Sequence, residues 1–479
     1  MSHVHDENCG CVTKKSNNQK RKSLWNLAKW LETQIEENRG VLEFNDVWMD
    51  SRKLQKGDVF IALKGETQDG HDYIKSAFDN GALAAVVERE WYEKNGKNFA
   101  EFNLLPVENT LLSLQNAARE FRRILGIPVI SVTGSNGKTS ATNILKTLLA
   151  NGFKIGATKG NFNNHIGVPL SILSMKGDEE MAIFEIGANH AGEIAALTSI
   201  IEPDMGIITN IGYAHVGLFG GIEKTAEAKF ELARAISMRQ GVLLLNGDDE
   251  FSVKQNEIDL IPAYYFGLKE GNQICAENLS CDENGYYSFD YNKRRYELSM
   301  AGIHCVYSVL PAIYLSLSMG INAEILQKTV KELKPANMRG EIEIISGRKI
   351  IADCYNANPS SMQTSLKMFN DIPAKAGRVA VLGTMGELGD YEEKLHVELG
   401  KSLANYKIDK LITVGTCAKL IADGAKTAGI NANAIFVCKN AEEAGKVAYE
   451  NSCENDLILF KGSRSVELEK AISIFSTLS

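Results

Sequence analysis

The chain has 479 residues, 44% hydrophobic and 23% charged, with a formal net charge of −8. That length exceeds what one hydrophobic core organises and calls for about two to four domains in an ordinary globular protein. The acidic balance argues against nucleic acid as the main partner, because counterion release needs clustered Lys and Arg, while leaving room for local basic pockets that hold phosphates; no apolar run reaches the length of a bilayer span.

Residues 1–22 are polar and lack the apolar core of a secretion signal. They read as a disordered tail, and with no membrane segment the chain is expected in the cytoplasm. His3, His5, Cys9 and Cys11 fall in this tail, at a spacing that matches no structural zinc pattern. The nine cysteines are odd in number and scattered, as reduced thiols are, rather than arranged as a disulfide framework.

The first region, 23–125, opens with Leu24, Leu27, Ala28 and Leu31 at helical spacing, flanked by Trp25 and Trp30. V-F-I-A-L (59–63) is a short strand, residues 73–80 a helix stopped at Gly81, and A-L-A-A-V-V a second strand. The second region, 126–336, starts after G-I-P with an apolar strand at 129–132, a glycine-rich loop and a helix over 140–150. Strands at 181–186, 205–210 and 241–246 alternate with helices, which implies a largely parallel sheet covered on both faces. The third region, 337–479, repeats the rhythm in K-I-I-A-D-C-Y, R-V-A-V-L-G, K-L-I-T-V-G, A-I-F-V-C and D-L-I-L-F-K-G. The expected fold class is α/β in three domains: a small α/β N-terminal domain, a central P-loop ATPase-like parallel sheet and a C-terminal Rossmann-like domain.

The loop of the second region reads V-T-G-S-N-G-K-T-S. It ends like a phosphate-binding loop, but Val132 stands where G-x-x-x-x-G-K-[ST] has its first glycine. Its strand–loop–helix setting compensates. Backbone N–H groups of Gly134, Ser135, Asn136, Gly137 and Lys138 can wrap a phosphate chain, with added partial charge from the helix N-terminus at Thr139 and Ser140. Lys138 suits neutralisation of terminal phosphates, and the Thr139 hydroxyl suits Mg²⁺.

Other positions are weaker alone. Glu185, in E-I-G-A-N-H, and His215, in N-I-G-Y-A-H, follow strand ends, where open α/β sheets bind ligands. Singly, each fits a solvated carboxylate or a structural imidazole equally well. Lys229, in A-E-A-K-F-E-L, reads as a surface lysine on a helix. Asp353 ends a strand in A-D-C-Y-N-A-N-P-S-S-M, where acids commonly bond ribose hydroxyls, while Asn356 and Asn358 suit a tight polar turn.

As a set in this order, the motifs resemble those of the Mur ligases, ATP-dependent enzymes of peptidoglycan precursor synthesis whose shortened phosphate loop lacks the early glycine. The resemblance covers nearly the whole chain after the tail. It rests also on D-S-R-K-L-Q-K-G-D-V-F-I-A-L-K-G from Asp50, D-G-H-D from Asp69, G-N-F-N-N-H-I-G-V-P from Gly160, A-H-V-G-L-F-G, G-E-L-G from Gly386 and K-G-S-R-S from Lys461. What it implies is a first domain holding the UDP end of the substrate, a centre binding ATP, and a C-terminal domain closing over both. It is strongest for the branch that joins UDP-N-acetylmuramoyl-tripeptide to D-alanyl-D-alanine through an acyl phosphate. By position, the resemblance gives Lys138 the β- and γ-phosphates, Thr139 a first Mg²⁺, and Glu185 and His215 a second. Lys229 matches a lysine that is carbamylated in the family, which would make it a carboxylate-like metal ligand. His304, Arg339, Asp353 and Asn358 would reach the nucleotide. Asn161, Asn163, Asn164, Asn189 and His190 would serve the peptidyl substrate, and Ser51 and Arg52 the UDP-sugar. A monomer is expected.

One stretch departs. Where the resemblance calls for G-x-H-N-x-x-N near the adenine, G-I-H-C-V-Y-S keeps His304 but sets Cys305 and Ser308 in place of the asparagines. A thiol is a poorer hydrogen-bond partner than an amide. Pro311 enters the same expected helix, where the first turn tolerates it, and the expected P-G-R reads A-N-M-R-G at Arg339. Three readings therefore stand beside the leading one: a paralogue joining another acid and amine, a P-loop small-molecule kinase, and a nucleotide-dependent binding protein without catalysis.

Overall fold

The structure is a computed structural model and describes residues 20–478. The expected tail lies almost entirely outside the described residues, as do His3, His5, Cys9 and Cys11. Two compact units are formed, one by residues up to Ser131 with Phe153–Gly187 and Glu193–Met205, the other by Val132–Gly152, Ala188–Gly192 and the chain from Gly206 onward.

In the first unit the predicted opening helix spans Leu24–Trp30. Ser23 caps it by accepting from the Asn26 N–H at 3.2 Å, and Leu24, Leu27, Ala28 and Trp30 are buried while Trp25 is exposed. Strands Val47–Trp48, Val59–Ile61, Ala84–Glu88 and Leu104–Val107 form a four-stranded parallel sheet in that order. The amphipathic helix Thr110–Leu125 ends at Gly126, whose φ of +62° is the left-handed conformation a side chain resists.

A seven-stranded sheet runs in the order Ile274–Cys275, Tyr264–Gly267, Val242–Asn246, Met205–Ile208, Val129–Thr133, Met181–Glu185 and Ile155–Ala157. Val129–Thr133 is buried throughout, as a strand covered on both faces must be. Helix Lys138–Leu149 follows it and buries Ala141, Ile144, Leu145, Leu148 and Leu149, one stripe at helical spacing. Three antiparallel strands, Glu277–Cys281, Tyr286–Tyr291 and Arg294–Ala301, form a separate small sheet that the sequence reading did not anticipate.

Helix His304–Ser318 packs against Lys138–Leu149 and carries Pro311 in its interior, not in the first turn. Proline there removes the N–H that would bond the Tyr307 carbonyl. The helix persists because Val306, Val309, Leu310, Ala312 and Ile313 are fully buried around that point.

The last sheet has the order Glu341–Ile345, Arg348–Ala352, Leu457–Lys461, Arg378–Gly383, Lys410–Val414, Ile435–Cys438. All its pairs are parallel except the first hairpin. Alternate residues feed two cores: Ile351, Ala380, Leu382 and Leu459 on one face, Ile350, Val379, Val381 and Ile458 on the other. This is the expected doubly wound unit, with one unforeseen antiparallel edge strand.

Candidate active site

The phosphate loop is moulded by neighbours outside it. Gly134 has φ +145°, and a Cβ there would sit 1.9 Å from Thr209 Oγ1. Ser135 Oγ accepts from the Gly212 N–H at 2.8 Å and donates to the Gly212 carbonyl at 3.0 Å. The Asn136 N–H donates to Asn210 Oδ1 at 3.0 Å, and its carbonyl accepts from Thr209 Oγ1 at 2.6 Å and Asn210 Nδ2 at 3.1 Å. Gly137 takes φ +78° at the helix start, and half-buried Thr139 and Ser140 occupy the first helical turn. Lys138 Nζ folds back onto the Gly134 and Ser135 carbonyls at 2.6 and 3.3 Å, so the loop holds its cation over its own mouth.

Lys229 is no surface lysine. It sits in helix Ile222–Met238 at 1% exposure, with Nζ 5.6 Å from the centre of the Phe219 ring. Burial, and secondarily the charge of Lys138, pull its pKa down to about 7. His215, left-handed at φ +57°, starts the short helix Val216–Phe219, and its Nδ1 lies 2.6 Å from Glu387 Oε2.

At the carboxyl ends of adjacent strands, Lys461 Nζ lies 3.0 Å from Asp353 Oδ2 and donates to the Asn356 carbonyl at 2.9 Å; Ser365 also donates to Asp353. Burial pushes the Asp353 carboxyl up, but Lys461 and Ser365 prevail and hold it below the ordinary value. Burial also pulls the His304 imidazole down. The Arg339 guanidinium stacks 4.1 Å from the centre of the Tyr355 ring. Asn358 caps helix Pro359–Asp371, accepting from the Ser361 N–H at 2.9 Å, and exchanges two amide hydrogen bonds with Asn136 at 2.8 and 3.3 Å. Cys305 donates to the Ala301 carbonyl at 3.3 Å, and burial pushes its thiol up to about 12. Ser308 stands beside the phosphate loop: a Cβ on Gly137 would lie 3.7 Å from its Oγ.

In the first unit, buried Glu185 accepts from Asn163 Nδ2 at 2.8 Å, and Thr158 Oγ1 accepts from the Glu185 N–H at 2.9 Å. Asn161 is a weaker neighbour of Asn163, at 3.4 Å. Asn164 Oδ1 turns back to accept from the Ile166 and Gly167 N–H groups at 3.2 and 2.8 Å, so it shapes the next helix. Ser51 is buried, whereas the exposed Arg52 pairs with Asp50 at 2.8 and 3.0 Å. Asn189 and His190 are exposed in the segment Ala188–Gly192, which belongs to the second unit.

Three family profiles match in sequence order: the Mur ligase family catalytic domain over residues 43–142, the Mur ligase middle domain over 132–316, and the Mur ligase glutamate ligase domain over 338–464. The UDP-N-acetylmuramoyl-tripeptide–D-alanyl-D-alanine ligase of Bacillus subtilis is 35% identical over 88% of this chain and 91% of its own. The chain belongs to the Mur ligase family. Among solved structures, MurF from Acinetobacter baumannii is 28% identical over 95% of this chain and 99% of its own, with a TM-score of 0.83. MurF from Thermotoga maritima in complex with ADP is also 28% identical, covering 90% and 97%, with a TM-score of 0.77.

Several residues that shape this Mur ligase's site are given no role by the sequence. Thr209 and Asn210 were visible only as the end of a strand, yet they fix the phosphate loop. Glu387 and Lys461 lie inside G-E-L-G and K-G-S-R-S, so a motif marked them without giving them a task.

Proposed function

We propose that this Mur ligase is an ATP-dependent enzyme that joins D-alanyl-D-alanine to UDP-N-acetylmuramoyl-tripeptide, as a monomer in the cytoplasm. The observation that carries the reading is Lys229, a fully buried lysine held near neutrality close to the phosphate-loop lysine. A neutral amine can attack CO₂, forming an N–C bond and releasing a proton, and the product is an anionic carbamate. That chemistry supplies a metal-binding oxygen where the sequence shows only a cation. With it, donors suited to Mg²⁺ would come from the Thr139 hydroxyl, the His215 imidazole and the Lys229 carbamate of the second unit, and the family pattern assigns the Glu185 carboxylate the same task. When bound, Mg²⁺ offsets the repulsion between an attacking carboxylate and the γ-phosphate.

The chain's own groups account for the rest. Backbone N–H groups of the Gly134–Ser140 loop receive the phosphates, and Lys138 exchanges its two carbonyl partners for phosphate oxygens. Asp353, kept ionised by Lys461, accepts from ribose, and His304, Arg339 and Asn358 complete the nucleotide side. Asn161, Asn163, Asn164, Asn189 and His190 orient the peptidyl end, and Ser51 and Arg52 the UDP-sugar. The tripeptide carboxylate oxygen attacks the γ-phosphorus and ADP departs. The dipeptide amine then attacks the acyl carbon, and the tetrahedral adduct collapses to amide and phosphate. Donors placed where that negative charge develops lower both barriers.

The test is phosphate release from ATP with each substrate omitted in turn and mass detection of product. Release that needs both substrates and yields UDP-N-acetylmuramoyl-pentapeptide is expected. Release without the amine, or phosphate transfer to a hydroxyl acceptor, overturns the reading.

A further inference from the structure

Two loops of the second unit meet backbone to backbone. A Cβ on Gly217 would lie 2.4 Å from the Gly389 nitrogen and 2.5 Å from the Leu388 carbonyl carbon, so only glycine permits this approach. The Gly217 N–H donates to the Glu387 carbonyl at 3.3 Å, and Val216 shares a core with Met385 and Leu388. Across this junction Glu387 presents its carboxylate to His215 Nδ1 at 2.6 Å, off the axis of the ring N–H; the buried Nδ1 has no other polar partner among the described residues. Both residues are non-glycine and left-handed, at φ +57° and +61°. Such conformations persist only where surrounding structure holds them. Here the support is visible. His396, fully buried, accepts from the Met385 N–H at 2.9 Å and bonds the Glu392 carbonyl through Nδ1 at 2.7 Å, fixing the loop that carries Glu387 from below.

We propose that Glu387 is a positioning residue: its carboxylate keeps the proton of His215 on Nδ1 and leaves the Nε2 lone pair outward for a metal. The inference rests on the assignment of His215 as a magnesium ligand made above. The physics is that of a metal-bound histidine oriented by a carboxylate on its other nitrogen, which fixes tautomer and ring direction. Glu387 belongs to the segment matched by the C-terminal profile and His215 to that matched by the middle profile, so the imidazole is oriented only when those segments meet.

The experiment uses the whole protein labelled with ¹⁵N-histidine, without nucleotide or metal, and reads long-range ¹H–¹⁵N imidazole correlations. Eight histidines are present, and the His215→Asn variant identifies the signal of interest. The wild type should show the Nδ1–H tautomer. Glu387→Ala should shift it toward the Nε2–H form and raise the Mn²⁺ concentration needed for half-saturation, read by electron paramagnetic resonance, by about tenfold. Glu387→Gln keeps the length and one acceptor oxygen and should restore most of that affinity. A wild-type Nε2–H tautomer, or an alanine variant with unchanged tautomer and Mn²⁺ half-saturation, overturns the proposal. No acid, amine or ATP is present in these readings, so their failure is distinct from a failure of the ligase reading.

Discussion

The phosphate loop and the C-terminal loops that meet it are built by opposite rules. The loop concentrates its chemistry in consecutive residues, Gly134 to Ser140, and local backbone shape does the work. The C-terminal side contributes residues scattered over three strand ends: Asp353 and the helix cap Asn358 after Arg348–Ala352, Glu387 after Arg378–Gly383, and Lys461 at the end of Leu457–Lys461. Each of these is tied to a partner distant in sequence. Contiguity sets the donors of the first region side by side on a loop held by Thr209, Asn210 and Gly212, whereas the second works only when several strands are in register. Damage to the loop should therefore abolish chemistry outright, and damage to the C-terminal side should degrade it by steps.

Lys138→Ala is the largest expected effect, because it removes the loop's only cation. Loss of one preorganised charge donor costs roughly 10²–10³ in kcat, and steady-state phosphate release would measure it. Lys229→Ala should come close behind, but with a difference that sharpens the contrast. It leaves a cavity where the proposed carbamate would stand, so on that proposal small carboxylates such as formate should restore part of the activity, and they should do nothing for Lys138→Ala. Rescue of both, or of neither, breaks the distinction.

In CO₂-free buffer, where Lys229 is the free amine, it also sets a pH dependence. Lys229 is depressed from the ordinary 10.5 to about 7, so between those values the unfolded chain binds a proton that the folded one lacks. Stability contributed through this group therefore rises with pH from about 7 to about 10.5, and it is at its lowest below 7, where the buried amine must carry charge. Urea midpoints at about pH 7 and about pH 9 should differ by less in Lys229→Met than in the wild type, with a limiting slope of about 1.4 kcal/mol per pH unit.

How much of this was legible follows from the same contrast. The strand, loop and helix around Val129–Leu149 were readable because hydrophobic period and glycine placement are local. The doubly wound C-terminal sheet was readable because each strand is a short apolar run before a helix. The three-stranded antiparallel sheet was not, since E-N-L-S-C and Y-Y-S-F-D-Y carry mostly half-exposed residues and no clean alternation. Taken alone, Lys229 reads as surface because A-E-A-K-F-E-L is half polar, and only the family resemblance gives it a task; its burial comes from packing that no window of sequence contains. Pro311 was placed in a first turn because proline rules are local, and the core around it overrode them.

The smallest effect tests the junction of the two regions. Asn358 does two things with one side chain: its Oδ1 caps a helix at Ser361, and its Nδ2 donates to Asn136 in the phosphate loop. Asn358→Ala loses both and should cost about 1 kcal/mol of stability from the cap alone. Asn358→Asp separates them. A carboxylate still accepts from the Ser361 N–H and is favoured at a helix N-terminus, so thermal stability should stay within about 0.5 kcal/mol of the wild type. It can still accept from Asn136 Nδ2 but has no N–H for Asn136 Oδ1, so the shorter of the two amide hydrogen bonds is lost and a negative charge faces that amide oxygen. A hydrogen bond of this kind contributes about 1 kcal/mol, which corresponds to a KM for ATP raised roughly fivefold at unchanged stability. If KM and stability instead move together across the two variants, Asn358 acts through the helix alone, and the C-terminal region reaches the phosphate loop by another contact.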